Sequence, residues 1–155
     1  MIKLLTIKSS RSKWLELASE EYTQKIGHFF KFELVELPST KNSREDSYYK
    51  IEIEGQSLLS VIKNNDYLIL LDERGKAFNS RQWAENIQKL QLYGQSKIVF
   101  VIGGAFGTSE ALKSRANEIW SLSNLVYNHH VALLVTLEQL YRSGSILNNK
   151  PYHNE

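Results

Sequence analysis

Short apolar runs alternate along the chain with stretches in which apolar residues recur every three or four positions. The runs predict five strands, at residues 2–7, 32–37, 67–71, 97–102 and 119–122. The periodic stretches predict helices over 14–26, 51–62 and 83–90, a short one from Leu112, and a last one over about 130–147. Strands that alternate with helices favour an α/β fold with a mainly parallel sheet, here of five or six strands, and helices on both faces.

Polar residues mark the ends of these elements. Ser12 and Asn79 are predicted to cap the first and third helices, and Gly94 is predicted to stop the third. Residues 38–47 form a polar stretch of mixed charge, which predicts an exposed loop. Residues 72–76 predict a polar turn directly after the third strand.

Length and composition limit the possible classes of protein. At 155 residues, of which 42% are hydrophobic, the chain is expected to form a single domain over 1–155. The absence of cysteine excludes disulfides, thiolate nucleophiles and cysteine-bound zinc, and fits a reducing compartment. No apolar run has the length of a signal peptide or a membrane span, so a cytoplasmic location is expected. The net charge of +2 includes no basic block and alone indicates no nucleic-acid partner.

Three predicted strands end in residues suited to a ligand. These ends are Leu71-Asp72, Gly103-Gly104 and Leu122-Ser123. Because parallel strands present their carboxyl ends at one edge of a sheet, we expect the three turns to converge on one crevice. Ala105 breaks a dinucleotide fingerprint, and the chain lacks the lysine of a phosphate-binding loop before Thr108. The glycines therefore fit either a ligand site or a simple strand-to-helix turn.

Other chemistry is weakly supported. His129 and His130 are adjacent, so their side chains point apart, and no metal site is expected. His129 is predicted to anchor a loop. The Gly-x-Ser-x-Gly elbow of many serine hydrolases does not occur. Asp72-Glu73 fits a catalytic pair or, more simply, a solvated turn. The last helix is apolar around most of its circumference, which predicts that it is buried on more than one side. Either the whole helix is buried within one subunit, or one side of it packs against a second subunit.

Several motifs together resemble a known family. VIGGAFG, IWSLSNLVYNHH, LEQLYR and KPYHNE, with Glu54–Gln56 and the turn Leu71–Lys76, are similar to the SPOUT-class RNA methyltransferases. Within that class the chain resembles the RlmH family, which methylates N3 of a pseudouridine in large-subunit ribosomal RNA. The resemblance implies a C-terminal trefoil knot, a homodimer, and S-adenosyl-L-methionine held in the knot loops. The chain departs from the family's pattern at Asn128, where proline is usual, at Leu133, where arginine is usual, and after Arg142, where an aromatic residue is frequent.

The resemblance also implies site residues. The cofactor contacts would be Leu71, Gly103, Leu122, Ser123, Asn124, Leu125, Val126 and Tyr127. His153 would take the imide proton of the base or orient the base, Arg142 would stabilise negative charge or hold a phosphate, and Tyr152 would stack on a base. Simpler alternatives are a disordered tail histidine, an Arg142–Glu138 pair one helical turn apart, and packing of Tyr152 in an interface.

The function implied by the resemblance is methylation of 23S ribosomal RNA, on assembled ribosomes rather than on free RNA. Two alternatives remain: a SPOUT methyltransferase acting on another RNA such as tRNA, and a non-catalytic module that binds RNA or the ribosome. Saturable binding of S-adenosylmethionine would separate an enzyme from such a module.

Overall fold

The computed structural model describes residues 1–10, 12–40, 46–95 and 97–152, in which five strands alternate with five helices. The elements in chain order are β1 (Ile2–Lys8), α1 (Lys13–Gly27), β2 (Phe32–Pro38), α2 (Ser47–Ser60), β3 (Tyr67–Ala77), α3 (Ser80–Leu92), β4 (Ile98–Ile102), α4 (Glu110–Arg115), β5 (Glu118–Ser121) and α5 (His129–Leu147). Each predicted strand and helix is present, within a few residues of its predicted bounds at most ends. Of the predicted loop at 38–47, residues 41–45 lie outside the described part of the chain.

All five strands run parallel in one sheet of order β2-β1-β4-β3-β5. At the sheet's centre, Ile98 of β4 is in register with Ile2 of β1 on one side and with Tyr67 of β3 on the other. The carboxyl ends of β1, β4 and β3 therefore lie side by side. The prediction of an α/β fold with a parallel sheet is confirmed, and the trefoil knot stays a prediction.

Helices cover both faces of this sheet. Alternate strand residues point to opposite faces, so Leu4 and Phe100 belong to one core cluster, and Leu5 and Val101 belong to another. The first cluster contains residues of α1, α3 and α5, and the second contains residues of α2 and α4. Both faces of the central strands are thus buried, which explains why β4 is apolar throughout.

The third strand differs from its prediction. Instead of ending at Leu71, β3 continues to Ala77, and its pairing with β5 shifts register between Leu71 and Lys76. Gly75 allows this close pairing, because a Cβ atom there would lie 2.6 Å from the carbonyl carbon of Trp120. The side chains of this extension are largely exposed, so the hydrophobic pattern could not distinguish it from a turn.

The first helix begins at Lys13, one residue before its predicted start. Trp14 is 50% exposed, whereas Leu15, Ser19 and Ile26 are buried. Ser12 occupies the N-cap position but makes no capping hydrogen bond with its side chain. In α3 the predicted cap is confirmed, since Asn79 forms a reciprocal capping box with Gln82.

The last helix packs between α1 and α3 and is buried within the subunit on that side. Leu133, Leu137 and Leu140 are at most 1% exposed. Leu133 is therefore a core residue in the position where the family usually has arginine. Gly144 allows Phe29 to lie on the helix, because a Cβ atom there would be 2.5–2.7 Å from the atoms of that side chain. An aromatic ring from the end of α1 thus occupies the space beside the residue where an aromatic is frequent in the family.

Within the described residues, no helix is both long enough and apolar enough to cross a membrane.

Candidate functional site

A cavity of about 630 Å³ opens where β4 and β5 end, beside residues 71–74 of β3. The three segments predicted to converge do form it, although residues 72–74 belong to β3 and are not a turn, and the segments lie more than 50 residues apart along the chain at their extremes. Seven of the eight predicted cofactor residues line it: Leu71, Gly103, Leu122, Ser123, Leu125, Val126 and Tyr127. Asn124, the eighth, does not line it. The structure therefore brings together all but one of the residues predicted to hold the cofactor.

One wall of the cavity is the glycine-rich turn over residues 103–107. A Cβ atom at Gly103 would lie 2.5 Å from Cγ2 of Thr108 and 2.8 Å from the carbonyl oxygen of Gly107. Gly107 has a φ of +111°, and its N–H donates to the carbonyl oxygen of Gly104 at 3.1 Å. The turn thus needs glycine for space at 103 and for conformation at 107.

The opposite wall is the segment from Ser121 to Asn128. The Ser121 hydroxyl donates to the carbonyl oxygen of Ser123 at 2.8 Å, and the Leu125 N–H donates to Oγ of Ser123 at 2.7 Å. Asn128 caps α5 by accepting a hydrogen bond from the N–H of Val131 at 2.9 Å. The cap fixes the end of the segment in the position where the family usually has proline. Leu125 is 69% exposed, so an apolar side chain on this wall is available to a ligand.

His129 fills the crevice between the ends of β1 and β4. Its Nε2 atom lies 3.2 Å from Oγ1 of Thr6, and the ring also interacts with the backbone of Gly103 and Ile7. Burial, helped by the neighbouring His130, lowers the pKa of His129, which favours a neutral ring. These are the contacts of the loop anchor that the sequence predicted.

His129 also borders a second cavity, of about 520 Å³, between α1 and the ends of β1 and β2. Its polar lining is mainly hydroxyl and carboxyl groups, among them Ser9, Ser12, Glu20 and Glu36. His129 therefore belongs to the lining of both cavities.

Asp72 and Thr108 add a polar rim to the first cavity. The Thr108 hydroxyl donates to Oδ2 of Asp72 at 3.3 Å, and Oδ1 of Asp72 accepts from the N–H of Arg74 at 3.0 Å. Asp72 is therefore held in place at the cavity, together with Glu73 on the same lining. Its position directly after the last buried residue of β3 was the signal in the sequence, although a solvated turn fitted that signal equally.

Arg142 and Tyr152, two of the predicted catalytic residues, lie together but away from this cavity. Nε and Nη2 of Arg142 donate to Oε1 of Glu138 at 2.9 and 2.7 Å, and the Tyr152 ring lies 4.8 Å from the guanidinium. Burial, with the nearby Tyr22 and Glu138, raises the pKa of Tyr152 to about 12. The third candidate, His153, lies outside the described residues.

The distance along α5 separates this cluster from the cavity. Ala132 lines the cavity, and Arg142 follows ten residues later, about 15 Å along the helix. The predicted Arg142–Glu138 pair is present.

The lining residues suit a nucleoside that carries a sulfonium group. Leu71, Leu122 and Leu125 supply apolar walls, and Gly103 adds a lining position without a side chain. Asp72 supplies carboxylate oxygens, which favour hydroxyl and cationic groups. Among the described residues, no three histidine, aspartate or glutamate side chains are grouped as metal ligands would be.

Comparison with known proteins places the chain in a family. A solved structure of a probable methylase family protein from Haemophilus influenzae shares the fold, with a TM-score of 0.56 and 17% identity over 99% of this chain and 70% of that one. Curated relatives named ribosomal RNA large subunit methyltransferase H are 39% identical in Christiangramia forsetii, over 99% of this chain and 98% of the relative, and 40% identical in Flavobacterium johnsoniae, over 99% of each. The sequence profile described as "Predicted SPOUT methyltransferase" matches residues 1–153. The resemblance found in the motifs is confirmed: this chain belongs to the SPOUT methyltransferase family.

Proposed function

We propose that this protein methylates N3 of a pseudouridine in the 23S RNA of the large ribosomal subunit, with S-adenosyl-L-methionine as methyl donor. The observation that carries the proposal is the cavity in which seven predicted cofactor residues meet, at the ends of β4 and β5 and beside the middle of β3. The relatives named as ribosomal RNA large subunit methyltransferases extend over nearly the whole chain, which supports the same class of substrate.

The residues of the cavity would hold the cofactor. Leu71 and Leu125 would contact its apolar surface, and backbone groups of residues 122–127 would bind the adenine edge. When bound, S-adenosylmethionine supplies an electrophilic methyl group on a positively charged sulfur. The main contribution of the protein is then alignment of the two reactants, an effect worth about 7–11 kcal/mol at its best.

Arg142, Tyr152 and His153 would act at the cavity of a second copy of the chain. Arg142 lies about 15 Å along α5 from the cavity of its own subunit, which supports a homodimer in which each tail serves the partner's cavity. There His153 would take the imide proton or orient the base, in the pH range where histidine titrates. Arg142 would stabilise the negative charge on the base or hold a phosphate, and Tyr152 would stack on a base.

The function is tested in two steps. Calorimetric titration with S-adenosylmethionine should give saturable heat, and its absence would support a non-catalytic module. Ribosomes from a strain that lacks the protein should then be methylated, at one pseudouridine mapped by mass spectrometry, whereas a naked RNA stem-loop should be a poor substrate. A methylated tRNA would indicate the other RNA class, and brisk turnover of the stem-loop would contradict the need for the assembled ribosome.

The shared site is tested by mixing two defective variants. Gly103→Ala damages the cavity, and Arg142→Ala damages the tail cluster, so each homodimer should lose most of its activity when S-adenosylmethionine is kept well below saturation. If tails serve partner cavities, a mixed dimer keeps one intact site, and about a quarter of all sites recover after random exchange of subunits in a twofold dimer. If each tail served its own cavity, the mixture would recover nothing. Size-exclusion chromatography with light scattering provides the control that the dimers form.

A further inference from the structure

Glu54 of α2 is a buried carboxyl group in the part of the core that faces away from α5. It is 3% exposed, and its Oε1 atom accepts a hydrogen bond from the Ser39 hydroxyl at 2.9 Å and a weaker one from the Thr40 N–H at 3.4 Å. Nζ of Lys50, one helical turn earlier, lies 3.9 Å from the same oxygen. Burial of an ionisable group is costly unless such partners compensate it, so a role for this carboxyl group is to be expected beyond filling space.

The second carboxyl oxygen of Glu54 lies directly against the glycine turn of the cofactor cavity. A Cβ atom at Gly104 would be 2.0 Å from Oε2 and 3.1 Å from Cδ of Glu54. The carboxyl group therefore occupies the space that any side chain at 104 would need.

A second contact joins α2 to the same turn. Nζ of Lys50 lies 5.4 Å from the centre of the Phe106 ring, in a cation–π arrangement. Ile51, the next residue of α2, lines the cavity itself. Two adjacent turns of α2 thus hold residues 104 and 106, one through a carboxyl group and the other through a cation.

We propose that Glu54 is a positioning residue for the cofactor: it fixes the glycine turn at 103–107 in the form that binds S-adenosylmethionine. The inference rests on the proposed function of the cavity. The turn consists mostly of small residues, so it has few side chains of its own with which to pack. Contact with a buried, hydrogen-bonded group restricts its backbone before the cofactor arrives, which reduces the ordering needed on binding.

The first test compares substitutions of two buried carboxyl residues that lie at opposite ends of the sheet. Glu54→Gln keeps the volume but leaves one acceptor oxygen, so an NH2 group must face either Ser39 and Thr40 or Gly104. Asp66→Asn changes a second buried carboxyl group, which is 4% exposed, pairs with Lys97 at 2.9 Å and lies before β3, at the edge remote from the cavity. Calorimetry with S-adenosylmethionine and thermal unfolding are measured for both variants and the wild type.

We expect Glu54→Gln to bind S-adenosylmethionine about tenfold or more weakly, because displacements well below 1 Å already weaken a site of this kind. Asp66→Asn should lose thermal stability and keep the wild-type affinity. Wild-type affinity in Glu54→Gln would overturn the inference. So would an equal loss of affinity in the two variants, since Glu54 would then act only through general stability.

The second test asks whether Glu54 acts on Gly104 itself. Gly104→Ala and Glu54→Ala should each weaken binding, the first by a clash and the second by release of the turn. In the double variant the space vacated by Glu54 accommodates the added methyl group, so the loss should be close to that of Glu54→Ala alone. Losses that multiply would show independent sites and contradict the inference. If the wild type itself failed to bind S-adenosylmethionine, the proposed function would fail instead, which keeps the two outcomes distinct.

Discussion

Gly103→Ala is the substitution whose effect on the cofactor cavity can be worked out most directly. The added Cβ atom would lie 2.5 Å from Cγ2 of Thr108 and 2.8 Å from the carbonyl oxygen of Gly107, whereas ordinary contacts begin at 3.4 Å. The Thr108 methyl group would have to withdraw by 0.9 Å (3.4 − 2.5) and the Gly107 backbone by 0.6 Å (3.4 − 2.8). The second movement is the costly one, because it displaces the turn itself.

Forcing an extra methyl group into a packed site typically costs about 1–3 kcal/mol. If the strain is relieved by moving the turn away from its binding conformation, the same free energy is lost from cofactor binding. A loss of that size weakens affinity by about 5- to 150-fold. We therefore expect a dissociation constant for S-adenosylmethionine raised within this range, and a lower temperature of unfolding if part of the strain persists.

Gly27→Ala is the matched control. Gly27 ends α1, and a Cβ atom there would meet no atom within 4 Å. The control should therefore bind the cofactor like the wild type, with unfolding free energy unchanged or raised by a few tenths of a kcal/mol, as for glycine to alanine at a compatible position. Isothermal titration calorimetry gives the affinity, and thermal unfolding gives the stability. Wild-type affinity in Gly103→Ala would refute the claim that this turn shapes the cofactor site.

Three further predictions concern stability. Burial alone would raise the pKa of Asp66, but the hydrogen bond from Lys97 leaves it lowered, so the stabilising contribution of Asp66 is present above about pH 4 and is lost on acidification. Asp66→Asn should lower the free energy of unfolding by about 1–3 kcal/mol at pH 7. Urea denaturation of this variant should show an unfolding free energy that depends less on pH in the acidic range. Because burial lowers the pKa of His129, stability should fall as the pH drops below about 6.5, and His129→Gln should remove that dependence; an unchanged pH profile would contradict it. Because Asn128 is the N-cap of α5, Asn128→Ala should lower the free energy of unfolding by about 1 kcal/mol. Asn79→Ala removes a cap that is remote from the cofactor loop and serves as the control. An unchanged free energy of unfolding in Asn128→Ala would show that this cap does not stabilise the protein.

The pattern of the sequence predicted those features that depend on local sequence. The alternation of Leu4 and Leu5 between two buried faces, and the wholly apolar strand β4, follow from the period of a strand and need no knowledge of distant residues. The capping box at Asn79 likewise involves only residues three positions apart. The hydrophobic pattern did not predict the extension of β3 to Ala77, because the residues of this extension are polar and exposed. Its pairing with β5 is made by the backbone and depends on the absence of a side chain at Gly75.

In the candidate site, too, the sequence predicted local features but not the contacts between distant residues. The sequence placed the ends of β4 and β5 at Gly103 and Leu122 to within a residue but ended β3 too early at Leu71, and the resemblance supplied the role of all three residues. It could not indicate that Asn124 is absent from the lining, or that Glu54, a residue within a recognised motif, lies against Gly104. These contacts join residues far apart in the chain, and no local period carries that information.

The sequence by itself determined the order of strands and helices, which faces they bury and the family to which the chain belongs, because each is expressed in neighbouring residues or in motifs. Only the tertiary structure decided which of the chemically able residues meet. It brings Leu71, Gly103 and Leu125 to one cavity and leaves Arg142 about 15 Å farther along α5. The physical reason is that hydrophobic periodicity specifies how an element is buried, whereas the contacts between elements are decided by how their side chains and bare backbone fit when the whole core packs.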